Sequence, residues 1–119
     1  MNAPALLDWT EGGEGIVWQH CDVCGHGWSF RRTFCPRCGA GTPASRQASG
    51  AGTVHAITRV MRAPSEALRP YAPYHIALVD LDEGVRVMAH ADDGVAIGDR
   101  VKVGFVTFGD RIVPRFGKV

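Results

Sequence analysis

The sequence predicts a mostly β chain in two parts, a small metal-stapled ribbon followed by a five-stranded barrel. Three observations carry this reading. All four cysteines fall between residues 21 and 38, as Cys21-x-x-Cys24 and Cys35-x-x-Cys38 with ten residues between the pairs. A stretch holding Gly39, Gly41, Pro43, Gly50 and Gly52 then separates them from the rest of the chain. Beyond it apolar residues recur with period two, as half-buried strands require.

Two Cys-x-x-Cys pairs bring together four thiolates, the number and softness that Zn²⁺ takes in a closed tetrahedral site. Gly25 and Gly39 follow the pairs and Pro36 lies inside the second, which suits tight turns whose backbone N–H groups approach the sulfurs. A rubredoxin-type FeS₄ centre uses the same residues, so zinc and iron both remain open, with the short spacer favouring a zinc ribbon. Disulfides would need an oxidising compartment, and Met1 is followed by neither a basic segment nor a long apolar run. A redox Cys-x-x-Cys would sit in a thioredoxin-like βαβ pattern that is not seen. A closed site leaves no open position for catalysis, so function is to be sought elsewhere. His20 and His26 read as surface residues.

The elements follow in order. Residues 1–15 form an N-terminal extension whose Pro4, Gly12, Gly13 and Gly15 allow no more than a turn around Leu6–Trp9. Residues 16–41 form the ribbon, with a strand at 16–20 and a strand or hairpin at 27–33. Residues 42–52 read as a linker, and 53–119 as the barrel. Its strands are expected at 53–61, at the almost continuously apolar 75–81, at 85–90 with Val85, Val87 and Ala89 on one face, at 101–105 and at 112–116. Asp82-Glu83-Gly84 and Gly109-Asp110 supply turns. The loop 63–73 carries Pro64, Pro70 and Pro73 and is long for a compact barrel, which marks it as a functional candidate. Five short strands closing on themselves is the OB-fold arrangement. The whole chain thus reads as a rubredoxin-like zinc ribbon followed by a five-stranded OB-fold barrel.

A hydrophobic share of 45% and a charged share of 21% describe a soluble protein of 119 residues. No apolar run approaches the roughly 20 residues of a membrane helix. No membrane partner is expected, and the cytoplasm is the expected compartment. The net charge of +1 hides a segregation. No Asp or Glu lies between Val23 and Ser65, where Arg31, Arg32, Arg37, Arg46, Arg59 and Arg62 fall, whereas Asp80, Asp82, Glu83, Asp92, Asp93 and Asp99 crowd a later stretch. Of 13 basic residues only Lys102 and Lys118 are lysines. Arginine suits bidentate contact with phosphate or carboxylate, though arginines near the ribbon could equally offset thiolate charge. The sequence holds no Gly-x-Ser-x-Gly elbow, no phosphate-binding Gly-x-x-x-x-Gly-Lys loop and no His-Glu-x-x-His. His55, His75 and His90 are scattered on expected strands, and Asp82 and Glu83 read as turn formers. No catalytic residues are assigned, and the chain is not expected to be an enzyme by itself.

Several segments together are distinctive. They are Ser49-Gly50-Ala51-Gly52-Thr53-Val54, Ala72-Pro73-Tyr74-His75-Ile76-Ala77-Leu78-Val79-Asp80-Leu81-Asp82-Glu83-Gly84-Val85-Arg86, Ile97-Gly98-Asp99-Arg100-Val101-Lys102-Val103 and Pro114-Arg115-Phe116, all behind a zinc ribbon. In this order, over roughly residues 16–116, they resemble the zinc-ribbon/OB-fold family of acyl-CoA-associated proteins. The resemblance implies a non-catalytic accessory subunit of a thiolase-fold acyl-CoA enzyme, as in the small subunit of benzoylsuccinyl-CoA thiolase. Such a subunit would complete a hetero-oligomer, naturally α2β2, and help to hold the coenzyme A moiety of a thioester shared with the large subunit. An acyl-CoA hydratase is the variant partner. Many relatives begin with amphipathic helices, for which the Gly-rich opening leaves little room.

On that reading the metal ligands are Cys21, Cys24, Cys35 and Cys38, holding structural Zn²⁺. Arg59, Arg62, Arg69, Tyr71 and Tyr74, around the proline-rich loop, are the candidates for coenzyme A, whose phosphates suit arginine and whose adenine suits an aromatic face. Trp9, Trp18 and Trp28 are candidates for partner contact, since tryptophan is enriched at interface hot spots, or else for the ribbon's own miniature core. Two other classes remain. A single-stranded nucleic-acid module would need a basic groove with a row of exposed aromatics, which the strands do not offer, so nucleic acid is not the expected partner. A rubredoxin-like electron carrier would be red.

Overall fold

The computed structural model describes residues 7–119. The first six residues, including the Leu6 end of the expected turn, lie outside the described residues. Asp8 caps a short 3-10 turn, Trp9–Glu11, by accepting the Thr10 N–H at 3.2 Å and the Thr10 hydroxyl at 2.6 Å. Its other oxygen accepts the Val17 N–H at 2.9 Å, so one buried carboxylate ties the N-terminal turn to the first strand. Gly12, at φ +88°, ends the turn in the left-handed conformation that glycine adopts without penalty.

The ribbon is a three-stranded antiparallel sheet of β1 (Val17–His20), β2 (Gly27–Ser29) and β3 (Ala44–Gln47), with β1 in the centre. The strand β3 lies in the stretch expected as a linker. Ala44–Gln47 pairs with β1 from His20↔Ala44 to Val17↔Gln47. An edge strand exposed on its outer side needs no apolar alternation and commonly carries charge, so its Ala-Ser-Arg-Gln reads as linker composition. The segment expected as a strand or hairpin at 27–33 pairs only over Gly27–Ser29, because Phe30 turns into the left-handed region at φ +67°.

The five-stranded barrel follows as expected, from β4 (Ala51–Val60), β5 (Tyr74–Leu81), β6 (Arg86–Ala91), β7 (Arg100–Phe108) and β8 (Arg111–Lys118). The order is β4-β5-β6-β8-β7, closing on β4. All neighbours run antiparallel except β6 and β8, which meet in parallel at His90↔Arg115 and Ala91↔Phe116. A bulge between Val54 and Ala56 bends β4, as strands at a barrel rim must. Gly52 permits that strand's close approach, since a Cβ there would meet the Asp80 carbonyl oxygen at 2.5 Å. Between β4 and β5 the proline-rich loop winds a 3-10 turn, Glu66–Tyr71. No helix among the described residues is long and apolar enough to cross a membrane.

The barrel core is built from Val54, Ala77, Val79, Leu81, Val87, Ala89, Val101 and Phe116. Val85, Val87 and Ala89 are all buried, as the period-two reading of that strand requires. Ile16 and Ala48, which flank the ribbon sheet, belong to the same core, and Trp9 and Trp18 pack against it half-buried. The two units therefore share apolar contact at their junction. Inside the ribbon, Trp28 packs with Cys21, Cys35 and Ala40 and donates its indole N–H to Gln19 at 2.9 Å. Only 8% of Trp28 is exposed, so of the two roles expected for it the ring takes the one in the ribbon's miniature core.

The acidic stretch 80–99 is largely neutralised on the barrel wall. Asp80 meets Arg86 at 2.6 Å, Asp82 meets Arg100 at 2.7 Å, Asp92 meets Arg115 at 2.7 Å and Asp99 meets Lys118 at 3.7 Å. Glu83 reaches back to accept the Ser49 N–H at 2.8 Å, tying the turn to the entry of β4. Hydrogen bonds from Arg86 and Arg100 hold the Asp80 and Asp82 carboxyls below their ordinary value of 3.8. Such groups stabilise the fold above the unfolded value, and the contribution disappears as acid titrates them through their depressed folded values. The contribution of these pairs to barrel stability, followed by β-sheet circular dichroism, is thus expected to fade as the pH falls below 3.8, and to fade less in Asp82→Asn. These exposed pairs are screened by salt, so the difference between the two proteins should shrink in concentrated salt.

Candidate metal centre and barrel-end hollow

The four cysteines converge between the two turns of the ribbon. Their sulfurs all lie within 4.8 Å of one another, with Cys21 and Cys38 at 3.6 Å and Cys24 and Cys35 at 3.7 Å. Four sulfurs about 2.3 Å from a central metal in a tetrahedron stand about 3.8 Å apart, so the donor set fits a tetrahedral metal ion. The two turns are built alike. Gly25 donates to the Cys21 carbonyl at 2.8 Å and Gly39 to the Cys35 carbonyl at 2.9 Å, both glycines with φ near +80°. The Cys24 N–H points at Cys21 Sγ, and the Arg37 and Cys38 N–H groups point at Cys35 Sγ at 3.4 Å.

These donors set the charge of the sulfurs. For Cys21 the Cys24 N–H leads in holding the thiol below its ordinary value. Burial pushes Cys35 up, but the N–H groups of Cys38 and Arg37 and the neighbouring thiols outweigh it and hold it at about 6. Cys38 goes the other way: the Ala40 N–H draws it down, yet Cys21, burial, Cys24 and Cys35 together push it up to about 12. Four thiols in one small volume thus compete for negative charge, and a divalent cation at their centre relieves that competition. The site is positioned to hold a metal ion. Cys24 and Cys38 face outward while Cys21 and Cys35 are buried, so the centre sits at the ribbon surface.

The coenzyme A candidates divide between two places. Arg59, Tyr71 and Tyr74 line a hollow of about 500 Å³ at one end of the barrel, whereas Arg62 and Arg69 line a separate depression along the proline-rich loop. Arg69 there is held by Glu66 at 2.9 Å. Among the other residues lining the hollow are His90, Phe108 and Arg115, which the sequence did not single out for binding. Its rings form one cluster, with His90 and Phe108 centroids 4.2 Å apart, Tyr71 and Phe108 4.8 Å apart, and Tyr74 5.0 Å from Phe108 and 5.3 Å from His90. Burial, then Arg115, lowers the His90 pKa, so the ring is a neutral aromatic surface at neutral pH. Arg115 is engaged by Asp92, while Arg59 has no acidic partner among the described residues. The closing of β6 against β8 creates this cluster, by setting His90 directly beside Arg115.

A four-cysteine ribbon set before a five-stranded OB barrel with a ring-lined end defines the class. Residues 45–106 match the sequence model of the family described as ChsH2, C-terminal OB-fold domain, and the chain belongs to that family. It is 33% identical to a DUF35 domain-containing scaffold protein of Methanothermobacter thermautotrophicus over 90 residues, 71% of this chain and 67% of the relative. A protein of the same description from Methanocaldococcus jannaschii is 32% identical over 95 residues, 76% and 67% of the two chains. The Pyrococcus furiosus protein is 39% identical over 69 residues, 58% of this chain and half of that one. Among solved structures, the Ltp2-ChsH2(DUF35) aldolase aligns with a TM-score of 0.72 at 27% identity, over 87% of this chain and 84% of that one. A DUF35 protein of unknown function from Sulfolobus solfataricus aligns at 0.60 and 19% identity, over 88% and 76%, and shares the fold alone.

Proposed function

We propose that this protein is a non-catalytic scaffold subunit of an acyl-CoA enzyme, stapled by structural Zn²⁺ and joined to a thiolase-fold large subunit in an α2β2 assembly. The observation that carries the reading is the likeness, over most of both chains, to the ChsH2 component of an aldolase, together with relatives described as scaffold proteins. An aldolase large subunit in place of the thiolase is a second reading, favoured by the name of that structure. A tagged chain purified from its source cells is expected to bring down one such enzyme subunit in near-equal amount, identified by mass spectrometry. Recovery of the chain alone, or of nucleic acid, would contradict the proposal. Colourless protein with zinc by elemental analysis is expected, and a red protein with visible absorption would assign iron instead.

In the assembled enzyme the barrel-end hollow helps to hold coenzyme A. The rings of Tyr71, Tyr74 and Phe108 offer faces for adenine, and Arg59, without an acidic partner among the described residues, lies beside them. Arg59→Ala is expected to raise KM for the thioester severalfold with kcat unchanged, while Arg62→Ala, in the other depression, leaves KM as it was. Equal KM for Arg59→Ala and wild type would remove the hollow from coenzyme A binding.

A further inference from the structure

Phe30 occupies a backbone position that glycine would take more easily than a bulky aromatic. Its φ of +67° lies in the left-handed region, where a bulky side chain is strained. A buried side chain fixes the turn that follows. Gln19, 4% exposed, accepts both the Trp28 indole N–H at 2.9 Å and the Arg32 backbone N–H at 2.6 Å, so the chain must reverse through Phe30 and Arg31. The Phe30 ring gains little burial in exchange, since the residue is 66% exposed, and Phe34 in the same connection is 51% exposed. Gln19 accounts for the turn but not for a large exposed ring at its left-handed position, and that choice of residue points to a use outside the fold.

The surrounding charge says what that use meets. Arg32 and Arg37 are exposed, and their guanidinium groups have no acidic partner among the described residues. The sequence holds no Asp or Glu from Val23 to Ser65. Part of this positive charge offsets four thiolates around a dication, but Arg37 reaches sulfur only through its backbone N–H. That compensation explains neither the two outward phenylalanines nor the left-handed residue.

We propose that Phe30, flanked by Phe34, Arg32 and Arg37, is the anchor by which the ribbon docks the enzyme subunit, on a protein surface where an apolar pocket is rimmed by carboxylates. The proposal rests on the scaffold reading. Aromatic and arginine anchors of this kind carry a disproportionate share of interface energy.

The test compares full-length wild-type chain with Phe30→Gly, Arg32→Glu and Met88→Ala, an exposed apolar residue on β6 serving as control. Each is titrated against the enzyme subunit that co-purifies with the wild-type chain, and its Tm and metal content are measured. Glycine adopts φ +67° freely, so Phe30→Gly is expected to keep its metal and melt at or above the wild-type Tm while Kd rises about tenfold or more. Arg32→Glu is expected to weaken binding as strongly, and Met88→Ala not at all. A lowered Tm with unchanged Kd in Phe30→Gly would make the ring structural and overturn the proposal. If Phe30→Gly lowers Tm and also raises Kd, Arg32→Glu decides, and its retention of wild-type Kd overturns the proposal. A subunit bound equally by all four chains would place docking elsewhere and leave the scaffold reading standing. A wild-type chain that binds no enzyme subunit would remove both.

Discussion

Cys35→Ser is expected to strip the ribbon of its metal and unfold residues 16–48. Cys35 is 1% exposed, accepts two backbone N–H groups, and approaches Cys24 at 3.7 Å, so it organises the second turn as well as ligating. The ribbon is expected not to hold without metal. Its own core is Cys21, Trp28 and Cys35 with Ala40 against them, far too little apolar surface to offset the entropy of ordering the chain. Metal binding supplies on the order of 10 kcal/mol in modules of this kind, and it is expected to be coupled to folding here. The barrel will feel the loss, because Ile16 and Ala48 leave its core when the ribbon melts. Metal content by elemental analysis and the tryptophan fluorescence of Trp28 check the expectation. Near-native metal and an unchanged Tm would show that the four cysteines are not the ligand set.

Phe116→Ala is expected to cost about 3–5 kcal/mol, the range for deleting a fully buried aromatic ring. Phe116 is 0% exposed and stands where β8 pairs in parallel with β6 through Ala91 and antiparallel with β7 through Val103. Its carbonyl also accepts the Asp92 N–H at 2.9 Å, so the ring anchors the seam that closes the barrel. Small residues around it, Ala77, Ala89 and Ala91, cannot expand into the cavity. The two substitutions separate the units: Cys35→Ser loses metal with the ribbon, whereas Phe116→Ala keeps its metal at low temperature and lowers the Tm of the sheet signal. A loss within 1 kcal/mol, about the cost of a conservative swap, would mean that Phe116 does not fill the core.

The parts of this structure legible from sequence are those whose chemistry is local. Cysteine pairs announce a metal site because the spacing and the following glycines make the turns themselves. The strands of the barrel announce themselves because Val85, Val87 and Ala89 must all face one way. Ala44–Gln47 was hidden because an edge strand with one solvated side carries no alternation. The hollow was half visible: Arg59, Tyr71 and Tyr74 flank one loop, but His90, Phe108 and Arg115 join them only when β6, β7 and β8 close. Residue type also says nothing of direction. Trp28 turned inward to Gln19, while Phe30, two positions on, was turned outward by its backbone. The acidic residues of 80–99 are also paired: Asp80 meets Arg86 across the β5–β6 hairpin, while Asp82, Asp92 and Asp99 meet basic residues that β7 and β8 bring up when the barrel closes.

On the reading proposed above, this chain completes an enzyme without performing its chemistry. The most direct measurement takes the co-purifying subunit and determines its turnover of acyl-CoA and its mass in solution, with and without this chain. The account expects no turnover by the chain alone, an impaired and partly disassembled large subunit, and full activity in an α2β2 complex at equal stoichiometry. A large subunit that is fully active and of unchanged mass by itself, or turnover by this chain alone, would contradict it.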